Sequence, residues 1–382
     1  MEKYQALIGF IRKSFSSTEE FISLHEPRFI GNERKYVMNA IDSTFVSSVG
    51  EYVNRFEEMI CSLTGAKYAV ATTNGTAALH MCLLLAGVQQ EDEVITQSLS
   101  FIATSNAISY CGAKPVFLDV DRDTMGLSVK SVKTFLENQT LQKGDLCINK
   151  RTGKVVRAVV PMHTFGHPIR IDELVSLCNR HNIVVVEDAA ESIGSYYKGK
   201  HTGTFGQSAA FSFNGNKTLT CGGGGVIITN DQSLANKAKH WTTTAKISHP
   251  WEYTHDAIGY NYRMPNLNAA MACAQLEQLP MFLENKRQLA KDYIAFGLKN
   301  DLNIVLEPSN AISNYWLNAL CLSDRDERDL FLAKLNEAGV MCRPIWTLLH
   351  KMFMFSGCYV DEQTNAQWLE DRIVNVPSSV KI

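Results

Sequence analysis

The chain has 382 residues, of which 45% are hydrophobic and 20% charged, with a formal net charge of −2. This is the profile of a globular protein long enough for two domains, and the near-neutral balance gives no electrostatic ground for binding nucleic acid or an anionic membrane. No apolar run reaches the length of a bilayer span, and the ten cysteines form no C-x-x-C pair, which favours reduced thiols in a cytoplasmic protein over a disulfide framework or a zinc site.

The first fifteen residues mix Glu2, Lys3, Arg12 and Lys13 with Leu7, Ile8, Phe10 and Ile11. They lack the apolar block and cleavage site of a signal peptide and read as a short amphipathic helix. From about residue 65, short β-branched runs alternate with helical patterns. Strands are predicted at 68–71, 93–96, 115–118, 155–160, 183–187, 209–212 and 226–229, and helices at 76–86, 102–110 and 171–181. Such alternation predicts an α/β domain with a largely parallel, helix-covered sheet. After about residue 260 the pattern changes. A long helix is predicted over 265–284, followed by mixed helices and short strands such as 315–322. The chain therefore divides into an N-terminal helical extension (1–23), a large α/β domain (24–260) and a small α+β domain (261–382).

Lys217 follows Phe211-Ser212-Phe213-Asn214-Gly215-Asn216, where a hydrophobic strand runs out into small and polar residues. Taken alone, such a lysine is most often a solvated surface charge. Its company elsewhere changes that reading. In an open α/β sheet, ligands sit beyond the carboxyl ends of the strands, and four segments bring suitable groups there. Asn74-Gly75-Thr76 joins a strand to a helix start. It is either an ordinary Asn-Gly turn with an N-cap or a site where free N–H groups and the positive helix end meet a phosphate. Asp188 ends a valine-rich strand, either as a helix cap or as a carboxylate that keeps a pyridine nitrogen protonated. Phe101 is either core or a platform for a planar ring. Ser212 is either a strand hydroxyl or a donor to phosphate. Together they match one chemical requirement. Transamination with pyridoxal 5'-phosphate needs a lysine amine, a carboxylate at the ring nitrogen, a ring platform and a phosphate cup. His163 and His167 lie four apart, but no third ligand accompanies them, so no metal site is predicted.

Ordered segments over about 24–379 resemble the DegT/StrS-type nucleotide-sugar aminotransferases, of the aspartate-aminotransferase-like fold. Among them are Gly65-Ala66-Lys67-Tyr68-Ala69-Val70, Asn74-Gly75-Thr76-Ala77-Ala78-Leu79, Pro161-Met162-His163-Thr164-Phe165-Gly166, Glu187-Asp188-Ala189-Ala190-Glu191, Gly259-Tyr260-Asn261-Tyr262-Arg263-Met264 and Pro377-Ser378-Ser379. The resemblance implies a pyridoxal-phosphate-dependent transferase of fold type I. Its large domain would carry a mainly parallel sheet of the seven-stranded type between helices, beside a smaller α+β C-terminal domain. It implies that Lys217 holds pyridoxal 5'-phosphate as a Schiff base and shuttles the proton. Asp188 would pair with the pyridine nitrogen, Phe101 would cover the ring, and Gly75, Thr76 and Ser212 would bind the phosphate. Asn261 would reach the phosphate of the neighbouring subunit, so the site would need a homodimer. Glu191 stands where many members have Gln, near the phenolic oxygen, where a carboxylate must be protonated or otherwise compensated. Gly223 replaces an acid usual in the family, and residues 1–23 extend beyond the common core.

Segments 24–33, 42–50 and 339–346 look like one branch of that family. This branch aminates UDP-4-keto-6-deoxy-N-acetylglucosamine at the 4-keto group, with L-glutamate as donor in a ping-pong reaction. A GDP- or dTDP-linked sugar, as in perosamine synthesis, is the alternative, and so is a non-catalytic regulatory protein on the same fold. Arg263 and His163 are the candidates for contacts to the sugar nucleotide. The arginine fork suits a diphosphate, whereas His163 reads equally as a hydrogen-bonded core histidine. Some relatives dehydrate the sugar and carry histidine at the lysine position, and Lys217 argues against that chemistry.

Overall fold

In the computed structural model, which describes residues 2–17 and 20–381, the β-branched runs form one large sheet. Its main strands are β1 (Tyr68–Thr72), β2 (Glu93–Gln97), β3 (Lys114–Leu118), β4 (Val156–Val160), β5 (Val184–Asp188), β6 (Ser208–Ser212) and β7 (Gly225–Thr229). They lie in the order β1-β7-β6-β5-β4-β2-β3, and Tyr359–Val360 adds an eighth strand beside β3. From β6 across to β3 all neighbours are parallel. Strand β7 runs antiparallel to both β1 and β6. The seven strands expected are thus joined by one from the C-terminal part, which is only two residues long and carries no alternation to reveal it.

Helices cover both faces, so β2 and β7 are buried throughout and β4, β5 and β6 at all but one position each. On one face the helix Gly75–Leu85 packs Leu79 and Leu83 against Val94, Val160, Val186 and Ile227. It is apolar nearly all round because it is sandwiched between the sheet and other helices. On the opposite face Phe211, Val226 and Ile228 meet Phe56 and Ile60 of the helix Glu51–Thr64, and Ala272 and Leu276 of the helix Asn266–Asn300.

That last helix departs from expectation. It spans 35 residues, running through Pro280 as expected but ending at Asn300 instead of near residue 284. The buried stripe continues past Glu284 with Leu289, Ala290, Tyr293 and Gly297, so packing overrides the proline. The strand expected over 315–322 shortens to Asn318–Cys321. Just before it the chain turns, with Tyr315 at φ 45. There Asn314 Oδ1 accepts the Trp316 N–H at 2.8 Å and Ser313 Oγ accepts the Tyr315 N–H at 3.0 Å.

A smaller four-stranded sheet is built from Asn303–Ile304, Asn318–Cys321, Ile373–Val376 and Arg343–Pro344. The N-terminal helix Glu2–Ser14 docks on this part: Leu7 and Ile11 share a core with Tyr293, Phe331, Leu335 and Val374. Among the described residues no helix is long and apolar enough to cross a membrane.

Candidate active site

A cavity of about 340 Å³ opens at the carboxyl ends of β1, β5 and β6. Its first wall is the start of the helix Gly75–Leu85. Asn74 caps that helix, its Oδ1 accepting the Ala77 N–H at 2.8 Å, and the first N–H groups, those of Gly75 and Thr76, have no acceptor within the helix. Both residues line the cavity with Ser212, which ends β6. The approach is close. A Cβ on Gly75 would sit 2.7 Å from Ser212 Cβ, and one on Gly225 of β7 would sit 2.4 Å from the Asn74 carbonyl. Glycine at both positions brings helix start and strand end together. Free N–H groups, a positive helix end and a hydroxyl make a cradle for an oxyanion.

The second wall carries the ionisable groups. Asp188 is buried at the end of β5, where its Oδ2 accepts from Thr104 Oγ1 at 2.7 Å and its Oδ1 from the Ala190 N–H at 3.2 Å. Burial raises its pKa, and the Thr104 and Ala190 hydrogen bonds and the Lys217 charge oppose that rise. A carboxylate in this condition is stabilised by a cation brought to it. Lys217 reaches the cavity from the loop after β6, its side chain only 12% exposed. Its Nζ lies 3.1 Å from Glu191 Oε1 and 3.9 Å from the centroid of the Trp316 ring. The other oxygen of Glu191 accepts the Phe165 N–H at 2.9 Å. Phe165 adopts φ 56 to present that N–H, a left-handed conformation unfavourable for a bulky residue. Burial raises the Glu191 pKa as well, against the charge of Lys217 and the Phe165 hydrogen bond. Phe101 is 50% exposed and lines the cavity. Its ring is therefore a wall of the site and not a core side chain.

Three expected residues do not line this cavity. His163 is fully buried, with Nδ1 accepting the Ile169 N–H at 3.3 Å and Nε2 3.1 Å from Glu187 Oε2. Both ring nitrogens are committed within the protein, so the expectation of a sugar-nucleotide contact is corrected to that of a core histidine. Asn261 and Arg263 lie outside the cavity of their own chain, where the Arg263 Nε donates to Asn261 Oδ1 at 3.3 Å. Their segment runs beside β1, the Tyr262 carbonyl accepting the Thr73 N–H at 2.8 Å.

Successive strand residues point to opposite faces, which separates Glu187 from Asp188. The Glu187 carboxylate also accepts the N–H groups of Gly203, Phe205 and Gly206, at 2.8, 2.7 and 2.7 Å. Burial would raise its pKa, but the His163 hydrogen bond, with the backbone donors, outweighs burial and lowers it. Its stabilisation is therefore present above the unfolded carboxylate value, about 4.3, and is lost as pH falls through the lower folded value. Replacing Glu187 by Ala strands these donors and is expected to lower unfolding free energy by about 3 kcal/mol. Urea denaturation across the acid limb would show it, together with a shallower acid-induced loss in the variant.

The sequence reading missed Trp316 and Trp346, which close the cavity from the C-terminal part. Trp316 donates its indole N–H to the Asn216 carbonyl at 2.7 Å. It also missed Thr104, although the hydroxyl one helical turn from Phe101 is the kind of residue that orients a buried carboxylate.

A mainly parallel sheet with a lysine, a buried carboxylate and a helix-start anion cradle at its carboxyl edge defines a pyridoxal-phosphate-dependent aminotransferase of fold type I. The model of the DegT/DnrJ/EryC1/StrS aminotransferase family matches residues 28–382, and the chain belongs to that family. It is 36% identical to a GDP-perosamine synthase of Escherichia coli O157:H7 over 359 residues, 94% of this chain and 93% of that one. EpsN of Bacillus subtilis (strain 168), provisionally named a pyridoxal phosphate-dependent aminotransferase, is 37% identical over 348 residues, 90% of this chain and 87% of that one. Among solved structures, the aminotransferase TlmJ from Streptoalloteichus hindustanus superposes with a TM-score of 0.84 at 26% identity, covering 94% of this chain and 93% of that one.

Proposed function

We propose that the protein transfers the amino group of L-glutamate to the 4-keto group of a GDP-linked 4-keto-6-deoxy sugar, giving a 4-amino sugar of the perosamine type. The observation that carries the amino-transfer half is one cavity holding Lys217, Asp188 and the Gly75-Thr76 helix start. The acceptor is supported by the 36% identity to a GDP-perosamine synthase over 94% of this chain. The branch resemblance of segments 24–33, 42–50 and 339–346 points to a UDP-linked N-acetyl sugar. The relatives matched over nearly the whole chain favour the guanosine nucleotide instead.

Pyridoxal 5'-phosphate, when bound, supplies a carbonyl that exchanges for the amino group and a ring that draws electrons from the reacting carbon. The residues present fit it. The Gly75 and Thr76 N–H groups and the Ser212 hydroxyl would hold the phosphate. Asp188, raised by burial and short of a cation, would keep the ring nitrogen protonated. Phe101 would serve as the ring platform, and Glu191, which holds the Lys217 amine, would face the phenolic oxygen. Lys217 moves the proton at its Nζ as general base and then general acid. Trp316 and Trp346 shut water out of the inner cavity.

The site is completed by a second copy of the chain. Asn261 and Arg263 lie outside their own cavity, and Phe29, Ile30, Met38, Phe45 and Val49 leave apolar surface exposed, which supports a homodimer. Asn261 then serves the partner's phosphate site, and the Arg263 fork serves the diphosphate of the sugar nucleotide. The ten cysteines are all free thiols, which supports a reducing, cytoplasmic setting.

Loading the protein with pyridoxal phosphate is expected to give a visible absorption band that L-glutamate removes. Offered 4-keto-6-deoxy sugars linked to GDP and UDP, it is expected to show at least about tenfold higher kcat/KM for the GDP sugar. An equal or reversed ratio refutes the acceptor assignment. A band indifferent to glutamate refutes the donor.

A further inference from the structure

The helix Asn266–Asn300 carries Lys286, which is wholly buried at 0% exposure. Its Nζ lies 2.6 Å from the Ser378 carbonyl oxygen, 3.1 Å from the Trp316 carbonyl oxygen and 3.0 Å from His25 Nε2. No carboxylate is among these partners. Burying a cation without a counter-charge is unfavourable, and burial pushes the Lys286 pKa down to about 7. The contacts survive either protonation state. An ammonium donates to all three partners, whereas a neutral amine donates to the two carbonyls and accepts from His25 Nε2–H. Lys286 therefore works as a fastening more than as a charge.

It fastens pieces far apart in sequence. The Ser378 N–H donates to the Leu24 carbonyl at 2.7 Å, and the Glu26 N–H to Ser379 Oγ at 2.9 Å. These bonds lock the His25 segment onto Pro377-Ser378-Ser379. Trp316 is held at both ends, its carbonyl by Lys286 and its indole N–H by the carbonyl of Asn216, the residue before Lys217. Between those anchors the indole ring lies under the Lys217 Nζ, 3.9 Å from its centroid. The motifs at 24–26 and 377–379 thus meet the active site through one buried amine.

We propose that Lys286 is a positioning residue of the amino-transfer site: by holding the Trp316 carbonyl it fixes the indole beneath the Lys217 amine. This rests on the reading of Lys217 given above. A shifted floor lets the amine leave its line with the reacting carbon, which penalises turnover more than substrate binding.

The test compares Lys286→Met, of similar length without a donor, with Lys286→Gln, which keeps a donor but not the reach to both carbonyls. Both are made in the full chain labelled with 5-fluorotryptophan, and the Trp316 fluorine resonance is assigned with Trp316→Phe. Without added cofactor, that resonance is expected to move in Lys286→Met while those of Trp241 and Trp251 stay. With pyridoxal phosphate and saturating substrates, kcat is expected to fall about ten- to hundredfold, with KM for glutamate unchanged within about threefold. Lys286→Gln gives a smaller change of the same kind and decides the matter if the Met variant does not fold. An unmoved Trp316 resonance overturns the proposal, and so does a moved resonance with wild-type kcat. If the wild-type protein does not transfer amino groups, the reading of Lys217 fails, while the resonance still reports whether Lys286 holds Trp316.

Discussion

Lys217→Ala is expected to abolish amino transfer, lowering kcat by about four orders of magnitude or more. Among the described residues that line the cavity, Lys217 alone carries an aliphatic amine, so no neighbour can take over the proton transfer. The loss should be chemical and not structural. The side chain lies in a loop and ends in the cavity, so truncation enlarges a space already present and leaves the sheet and helices untouched. One buried group is left short: Glu191 loses the Lys217 contact at Oε1 and keeps the Phe165 N–H at Oε2. It answers by taking up a proton, the direction in which burial already pushes it. Circular dichroism should therefore match wild type while the glutamate-sensitive absorption band is missing. A small primary amine added to the variant should restore part of the activity, since the vacated volume opens on the cavity. A variant that keeps more than about one per cent of wild-type turnover would sink the assignment of the proton transfer to Lys217.

Much of this site was legible in the sequence, for identifiable reasons. The sheet strands are mostly short apolar runs buried on both faces, a pattern that does not depend on what lies beyond them. Asn74 announces a helix start by its own capping chemistry, and the helix forms there with its free N–H groups on the cavity. Lys217 and Asp188 line one cavity, as expected, because Asp188 ends a strand and Lys217 follows one, and parallel strands deliver their carboxyl ends to one edge. The misses share a cause. Trp316 and Trp346 come from the C-terminal part and meet the cavity only through tertiary packing. Trp316 also sits where the chain turns at Tyr315 and was hidden inside an expected strand. His163 was misplaced because it too follows a strand. The corrective signal was Glu187, since an acid inside an apolar strand needs buried donors, and His163 is one of them. The helix Asn266–Asn300 outran its expected end at residue 284, because its buried stripe continues with Leu289, Ala290 and Tyr293, which meet their partners only in the folded chain.

Asp188→Asn is expected to lower kcat by about three orders of magnitude while leaving the fold intact. Asn matches Asp in shape, so what it removes is charge. An Asn can still accept from Thr104 Oγ1 or from the Ala190 N–H, the two donors that hold Asp188 at 2.7 and 3.2 Å. It cannot keep a ring nitrogen protonated, because a neutral amide does not offset a cation. Thr104→Val separates the two contributions. It spares the carboxylate and loosens its orientation, and should lower kcat only about tenfold. A second readout follows from the raised pKa of Asp188. A carboxyl group whose folded pKa lies above its unfolded value binds more protons when folded, so stability of the cofactor-free protein falls as pH rises through that window. A protonated ring nitrogen placed beside the carboxylate relieves the penalty. The thermal stabilisation produced by pyridoxal phosphate should therefore grow with pH across the window in wild type. In Asp188→Asn it should grow less, leaving only the share carried by Glu191, whose pKa is raised in the same direction. Equal pH dependence in the two proteins would mean that Asp188 does not face the cation, and the ring nitrogen would have to be sought elsewhere in the cavity.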